Sequence, residues 1–203
     1  MHMMRNKGFT LIEIAIVITI IGLLMGGVIK GMSLIQSAKV NSTITLAQDI
    51  SVAVNAFKQQ YHMLPGDMSI NATSPEISNI SAGCNPSTSL STTNDGLIDT
   101  STESQCVPEV LFKAGLTKQP SFNSDYGPVT VIAASLSGVA ITLGSNPFLP
   151  SIIHVVEFQN LPCDVVQAMD RKMDNDDLTG GKGIASTGAC AAGSIVPFYA
   201  VAL

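Results

Sequence analysis

The sequence predicts an α+β protein, in which a long N-terminal helix, half of it in a membrane, packs on a small antiparallel β-sheet. Three observations predict this fold. Phe9–Ile29 is an almost unbroken apolar run, residues 40–61 repeat apolar side chains at steps of three and four, and short β-rich runs follow later in the chain. About 20 apolar residues span a bilayer, and the three-and-four repeat is typical of an amphipathic helix.

The apolar run predicts a membrane anchor with the rest of the chain exported. Arg5 and Lys7 precede the run, and acidic residues are absent there. Basic residues stay on the cytoplasmic side, so the chain after the run is translocated. A cleaved secretory signal is the alternative, with residues 25–27 as a weak cleavage site. The run is long for such a signal, and Glu13 places a charge inside it.

The composition argues against two classes of function. The 203 residues carry a net charge of -5 with 12% charged residues and no cluster of Lys or Arg, which does not fit a nucleic-acid binder. No Gly-x-Ser-x-Gly, phosphate loop or His-Glu-x-x-His occurs, so we predict that the protein is not an enzyme. Of the histidines, His2 and His62 suggest no site, and His154 reads as a packing or edge residue of a strand.

The string Lys7-Gly8-Phe9-Thr10-Leu11-Ile12-Glu13 carries the most specific signal in the chain. It resembles the N-terminal signature of type IV pilins and of the pseudopilins of type II secretion. The resemblance implies that a membrane aspartyl peptidase, the prepilin peptidase, cuts after Gly8 and methylates the new amine of Phe9. It also implies three parts, which are a cytoplasmic leader (1–8), a transmembrane and filament-core helix (9–30) and an exported globular part that continues the helix (31–203).

Glu13 has two interpretations at this stage. A carboxylate near the end of a membrane helix can extend to the interface at little cost, which would make it harmless. The resemblance implies instead that Glu13 neutralises the amine of Phe9 on a neighbouring subunit. The two charges would then offset each other's cost of burial, and Glu13 would fix the docking register.

As a pilin-like protein, the chain would be a structural subunit of a homo-oligomeric surface filament. The precursor would sit in a bacterial inner membrane, and the assembly machinery there would build the pilus. One alternative is a periplasmic pseudopilin of a type II secretion system. An alternative from another class is a membrane-anchored enzyme or binding protein, which should show a concave pocket with converging polar groups.

The four cysteines predict two disulfides. They form no Cys-x-x-Cys pair, so zinc or thioredoxin chemistry has little support. An even count after a membrane segment is typical of an oxidising compartment, and four free thiols in the cytosol are the alternative. The sequence alone leaves the pairing open. We predict the nearest pairs, Cys84–Cys106 and Cys163–Cys190, because each closes a loop of about 25 residues.

The segment 62–67, His-Met-Leu-Pro-Gly-Asp, ends the long helix because it contains Pro and Gly. A polar stretch, 68–105, follows. The blocks 59–67, 94–98 and 110–116 resemble stretches that recur in pilin-like proteins in this order. Further predicted elements are helices at Glu109–Leu116 and Leu161–Met173 (the latter capped by Asn160), and strands at Val129–Ala133, Gly138–Leu143, Ile152–Phe158 and Ile195–Val201.

An Asp-rich stretch, 170–181, suggests a cation site. Asp174, Asp176 and Asp177 lie within four residues, and carboxylate oxygens are the ligands that calcium prefers. The spacing is not that of an EF-hand, and a solvated turn is the alternative. The resemblance adds that secretion pseudopilins can hold calcium near their C-termini, so calcium is the one cofactor that we consider.

Overall fold

The fold is α+β, as predicted. A computed structural model describes residues 9–68, 77, 80–81, 83–84 and 95–203. A long N-terminal helix packs on a four-stranded antiparallel sheet that carries further helices. The chain divides into two compact units, one ending at Lys39 and one comprising Val40–Leu203. We call the second unit the head.

Helix α1 spans Leu11–Tyr61 and belongs to both units. The side chains that it buries all lie in the head part of the helix, from Val40 onward, and follow the predicted steps of three and four. The helix ends where the breakers predict. His62 takes a left-handed conformation (φ 56°), and its N–H donates to the carbonyl of Lys58 as the last turn closes.

The sheet has four strands, β1 (Val129–Ala133), β2 (His154–Pro162), β3 (Gly183–Ala185) and β4 (Ile195–Ala202). Their order in the sheet is β1-β2-β4-β3, and every neighbouring pair is antiparallel. In the central register, Val156 of β2 lies opposite Val131 of β1 and Val201 of β4. Because side chains alternate across a strand, one face of the sheet meets α1 and the other meets a different layer.

The main core lies between α1 and the inner face of the sheet. Phe57 of α1, Phe158 of β2 and Tyr199 of β4 are all fully buried in it. Helices α2 (Ser101–Lys113) and α4 (Cys163–Met173) complete this core.

The predicted strand at Gly138–Leu143 is wrong, because these residues form a short helix, α3. A short apolar run does not distinguish a strand from a helix by itself. Here the side chain of Ser137 caps the helix by accepting from the N–H of Ala140, and Gly144 ends it in a left-handed conformation (φ 72°). The carboxylate of Glu157 on β2 also accepts from the N–H of Gly138, a distant contact that the sequence does not reveal.

Two helix starts also differ from the prediction. Helix α2 begins at Ser101, eight residues before the predicted Glu109, because Thr100 and Glu103 form a capping box. Asn160 does not cap α4, since β2 continues to Pro162 and the helix begins at Cys163. The short strand β3 was not predicted.

Candidate functional site

Glu13 and Thr10 form a hydrogen-bonded cap at the start of α1. The backbone N–H and the hydroxyl of Thr10 both donate to Oε2 of Glu13, at 2.8 and 2.7 Å. The N–H of Glu13 donates back to the hydroxyl oxygen of Thr10 at 3.3 Å. This is the reciprocal arrangement of a capping box, in which the carboxylate and the hydroxyl each satisfy a free N–H of the first helical turn.

This cap gives Glu13 a local role that neither earlier interpretation included. The signal was available in the sequence, because Thr10-x-x-Glu13 is the spacing of a capping box. The remaining oxygen, Oε1, accepts no hydrogen bond within the described part of the chain, so the cap leaves it available to a second donor.

The surface around Glu13 is apolar and exposed. Phe9 precedes the helix with 85% of its surface exposed, and large apolar side chains stay exposed as far as Ile35. By its length and composition, α1 is able to cross a membrane. Transfer of such a surface out of water, into lipid or against other helices, would be favourable. Gly8 and the rest of the predicted leader lie outside the described residues.

Comparison with known proteins identifies this end of the chain. Residues 3–29 match the prokaryotic N-terminal methylation motif. The chain carries the type IV pilin and pseudopilin signature. No curated protein and no solved structure matches the chain. The resemblance stated from residues 7–13 is therefore confirmed, and it supports a type IV pilin or pseudopilin-like subunit.

In the head, the block 59–67, which ends α1, contacts the block 94–98 and helix α2. Oδ2 of Asp67, in the block that ends α1, accepts from the N–H of Gly96 at 2.8 Å. A Cβ on Gly66 would lie 2.6 Å from the carbonyl oxygen of Glu103, so only glycine permits this approach to α2. Glu109 of α2 accepts from both the N–H and the hydroxyl of Ser81. These contacts fix both ends of the predicted polar stretch.

Two disulfides join the four cysteines. Cys84 bonds to Cys106 in α2, and Cys163 at the start of α4 bonds to Cys190. These are the nearest pairs in the sequence. The first ties the polar stretch to α2, and the second ties α4 to the segment before β4.

The structure gives the three carboxylates of the Asp-rich turn separate partners. Asp174 accepts from the N–H groups of Lys182 and Gly183, Asp176 pairs with Arg171 at 3.4 Å, and Asp177 accepts from the N–H and hydroxyl of Thr179. No group of three His, Cys, Asp or Glu residues within the described ranges is placed to hold a metal ion. Calcium binding stays a prediction, and it requires these side chains to turn.

Beside this turn, Asp170 is fully buried, and its Oδ1 accepts from the hydroxyl of Tyr199 at 3.2 Å. Burial raises the pKa of Asp170, while the bond from Tyr199 opposes that shift. The two side chains leave no room at Gly183, where a Cβ would overlap the Tyr199 hydroxyl. The pair therefore fixes β3 against α4.

A concave pocket with converging polar groups would favour an anchored enzyme or binding protein. A groove of about 650 Å³ lies between residues 42–56 of α1 and the segment 116–125. Its described lining includes the charged side chains of Asp49, Lys118 and Asp125 and no histidine or cysteine.

Proposed function

We propose that the protein is a structural subunit of a type IV pilus-like surface filament. The observation that carries the proposal is the methylation motif of residues 3–29, which lies on an exposed apolar helix start holding a single carboxylate. Within the described part of the chain, the large apolar side chains of α1 stay exposed as far as Ile35, which suits a subunit whose partners are other copies. Repeated head-to-tail contacts of this kind produce an open filament.

The motif implies processing before assembly. The prepilin peptidase would cut after Gly8 and methylate Phe9 in the inner membrane, where residues 9–30 hold the precursor. The exported head then meets an oxidising compartment, which agrees with its two disulfides. Thr10 and Glu13 both remain in the processed chain, so the cap on α1 survives cleavage.

In the filament, Glu13 would accept the charged amine of Phe9 from a neighbouring subunit. The cap occupies Oε2 and orients the carboxylate at the first turn of α1, which leaves Oε1 for the amine. Removing one partner of a buried ion pair costs about 3–5 kcal/mol, because the other charge stays buried without compensation. A filament repeats that loss at every subunit.

Three variants separate docking from capping. Glu13→Gln keeps a side chain that a capping box accepts but removes the charge. Glu13→Val removes both the cap and the charge, and Thr10→Val removes the cap hydroxyl but keeps the carboxylate. Each is expressed in the cell, and processed subunit in the membrane is compared with filaments sheared from the surface and viewed by electron microscopy.

We expect Glu13→Gln and Glu13→Val to accumulate processed subunit and to form no filaments. We expect Thr10→Val to retain filaments at reduced yield, because an N-cap contributes only about 1 kcal/mol. Normal filaments from Glu13→Gln would remove the docking role and leave Glu13 as a cap. Filament loss from Thr10→Val as complete as that from Glu13→Val would make the cap the essential feature.

A secretion pseudopilin is the second candidate, and the Asp-rich turn favours it. That turn follows α4 and leads to Gly180 and Gly181 near the C-terminus, where pseudopilins can hold calcium. Deleting the gene distinguishes the two roles. A pseudopilin deletion blocks release of secreted enzymes into the medium, whereas a pilus-subunit deletion leaves secretion intact and removes surface filaments.

A further inference from the structure

Two links between the polar stretch and helix α2 lie side by side. Oε1 of Glu109 accepts from the N–H of Ser81 at 2.6 Å, and Oε2 accepts from the Ser81 hydroxyl at 2.7 Å. Cys106, three residues earlier in α2, is bonded to Cys84. Residues three apart in a helix lie on the same side. One side of α2 therefore presents the carboxylate and the sulfur together.

The segment that faces this side of α2 has the same spacing. Ser81 and Cys84 are also three residues apart, and the N–H of Cys84 donates to the carbonyl of Ser81 at 2.9 Å. The carbonyl oxygen of Gly83 lies 3.8 Å from Sγ of Cys106. When Glu109 holds Ser81, the backbone beside Cys84 therefore already contacts the sulfur with which Cys84 bonds.

Nearness in the sequence favours this disulfide only weakly. Cys84 is 22 residues from Cys106, and Cys163 is between two and three times as far from Cys106. The entropy of loop closure grows with the logarithm of the loop length, so this difference is worth about a fourfold preference. A contact that brings the two cysteines together adds to this small preference.

We propose that Glu109 and Ser81 form a clamp that holds Cys84 beside Cys106 before their disulfide forms, and so raises the tendency of these two thiols to pair. The clamp consists of hydrogen bonds alone, so it does not depend on the oxidation state of the cysteines. Hydrogen bonds to a carboxylate are stronger than those between neutral groups. The proposal goes beyond filament assembly, because the clamp would act in the head of an exported protein of any function.

The oxidant is a disulfide donor, either a small molecule or a protein of the exported compartment. Cys84 is half-buried and Cys106 is only 1% exposed, so the thiolate of Cys84 attacks the donor. A mixed disulfide forms, and one thiol of the donor leaves. The thiolate of Cys106 then attacks the sulfur of Cys84 and displaces the second donor thiol. The two cysteines lose two protons and two electrons, and the donor gains them as two thiols.

The test measures the equilibrium of each disulfide with glutathione. The full-length protein in detergent is equilibrated with mixtures of glutathione and glutathione disulfide, free thiols are alkylated, and peptide mass mapping gives the oxidised fraction of each pair. An equilibrium is measured because a change of charge beside a thiol alters its reaction rate by itself. The second disulfide, Cys163–Cys190, is an internal control in the same molecule.

Glu109→Ala removes both hydrogen bonds of the clamp, and Ser81→Ala removes only the bond from the hydroxyl. The matched control is Gln105→Ala, at an exposed side chain of α2 outside the clamp. The double variant with both clamp substitutions shows whether the two residues act through each other, because residues that share one contact are not additive.

We expect Glu109→Ala to lower the equilibrium constant of the Cys84–Cys106 disulfide by about tenfold, and Ser81→Ala to lower it less. The second disulfide should keep its constant in both variants, and Gln105→Ala should change neither. Adding Ser81→Ala to Glu109→Ala should have no further effect. An unchanged constant in Glu109→Ala, an equal loss at both disulfides, or additive losses in the double variant would overturn the proposal.

Discussion

At the scale of single residues, the fold controls the charge of His154. Its Nε2 accepts from the N–H of Ile98 at 3.1 Å, which requires a neutral ring. Burial, and to a smaller extent the charge of Lys58, lowers the pKa of His154 from 6.5 to about 4. Since the folded pKa lies below the unfolded value, His154 stabilises the head above pH 6.5, and this contribution is lost as the pH falls toward 4.

We therefore predict that His154→Gln removes part of the acid sensitivity of the protein. Wild type in detergent should lose on the order of 2 kcal/mol of stability between pH 7 and 4 through this residue, after allowance for its partial exposure. Glutamine does not titrate and should lose less. Thermal melts of both proteins across this range give the comparison. Burial raises the pKa of Glu157 and Asp170, which acts in the opposite direction and equally in both proteins. Parallel pH profiles would contradict the prediction.

Calcium binding at Asp174, Asp176 and Asp177 is also decided at this scale. If the site forms, millimolar calcium should raise the melting temperature of the full-length protein, because a ligand that binds only the folded state stabilises it. Magnesium should act less, since it prefers a stricter octahedral geometry. Replacing all three residues with Asn should abolish the shift. An unchanged melting temperature in wild type would leave the stretch as a solvated turn.

At the scale of elements, the sequence predicted the helices and strands that have a long or alternating apolar pattern. It missed the elements that depend on contacts with residues distant in the sequence. The apolar steps of three and four in α1 and the β-rich runs of β1 and β4 were sufficient to predict these three elements. Helix α3 depends on Glu157, which is distant in sequence. The starts of α1 and α2 depend on capping boxes at Thr10 and Thr100, and both could have been found from the Thr-x-x-Glu spacing.

Two glycines with positive φ test the packing of α2 against the end of α1. Gly66 has φ 97° and lies against the carbonyl of Glu103, whereas Gly115 has φ 74° and no atom within 4 Å of a built Cβ. Gly115→Ala should cost about 1–2 kcal/mol through its backbone conformation alone. Gly66→Ala should cost more, because the backbone of α2 must also move. Denaturant unfolding of the two variants measures the difference, and equal losses would show that the contact with Glu103 contributes nothing.

At the scale of the whole molecule, the two units follow different rules. The head has a core of buried apolar side chains from its own chain, so its fold was largely predictable from periodicity. The unit that ends at Lys39 leaves its apolar side chains exposed, and its large exposed residues run from Phe9 to Ile35. The sequence of this unit indicates that its apolar surface must be covered by a partner. The methylation motif at residues 3–29 is what indicates the kind of partner, because type IV pilins and pseudopilins carry this signature.

The most direct test of the filament account is the intact mass of the protein isolated from filaments sheared off the cell surface. Filaments separate an assembled subunit from a membrane pool, and the mass reports where the chain begins. We predict a chain that starts at Phe9 with one methyl group on its amine and with all four cysteines in disulfides. A protein absent from the filaments, still carrying Met1 or beginning beyond Ile29 would contradict the account.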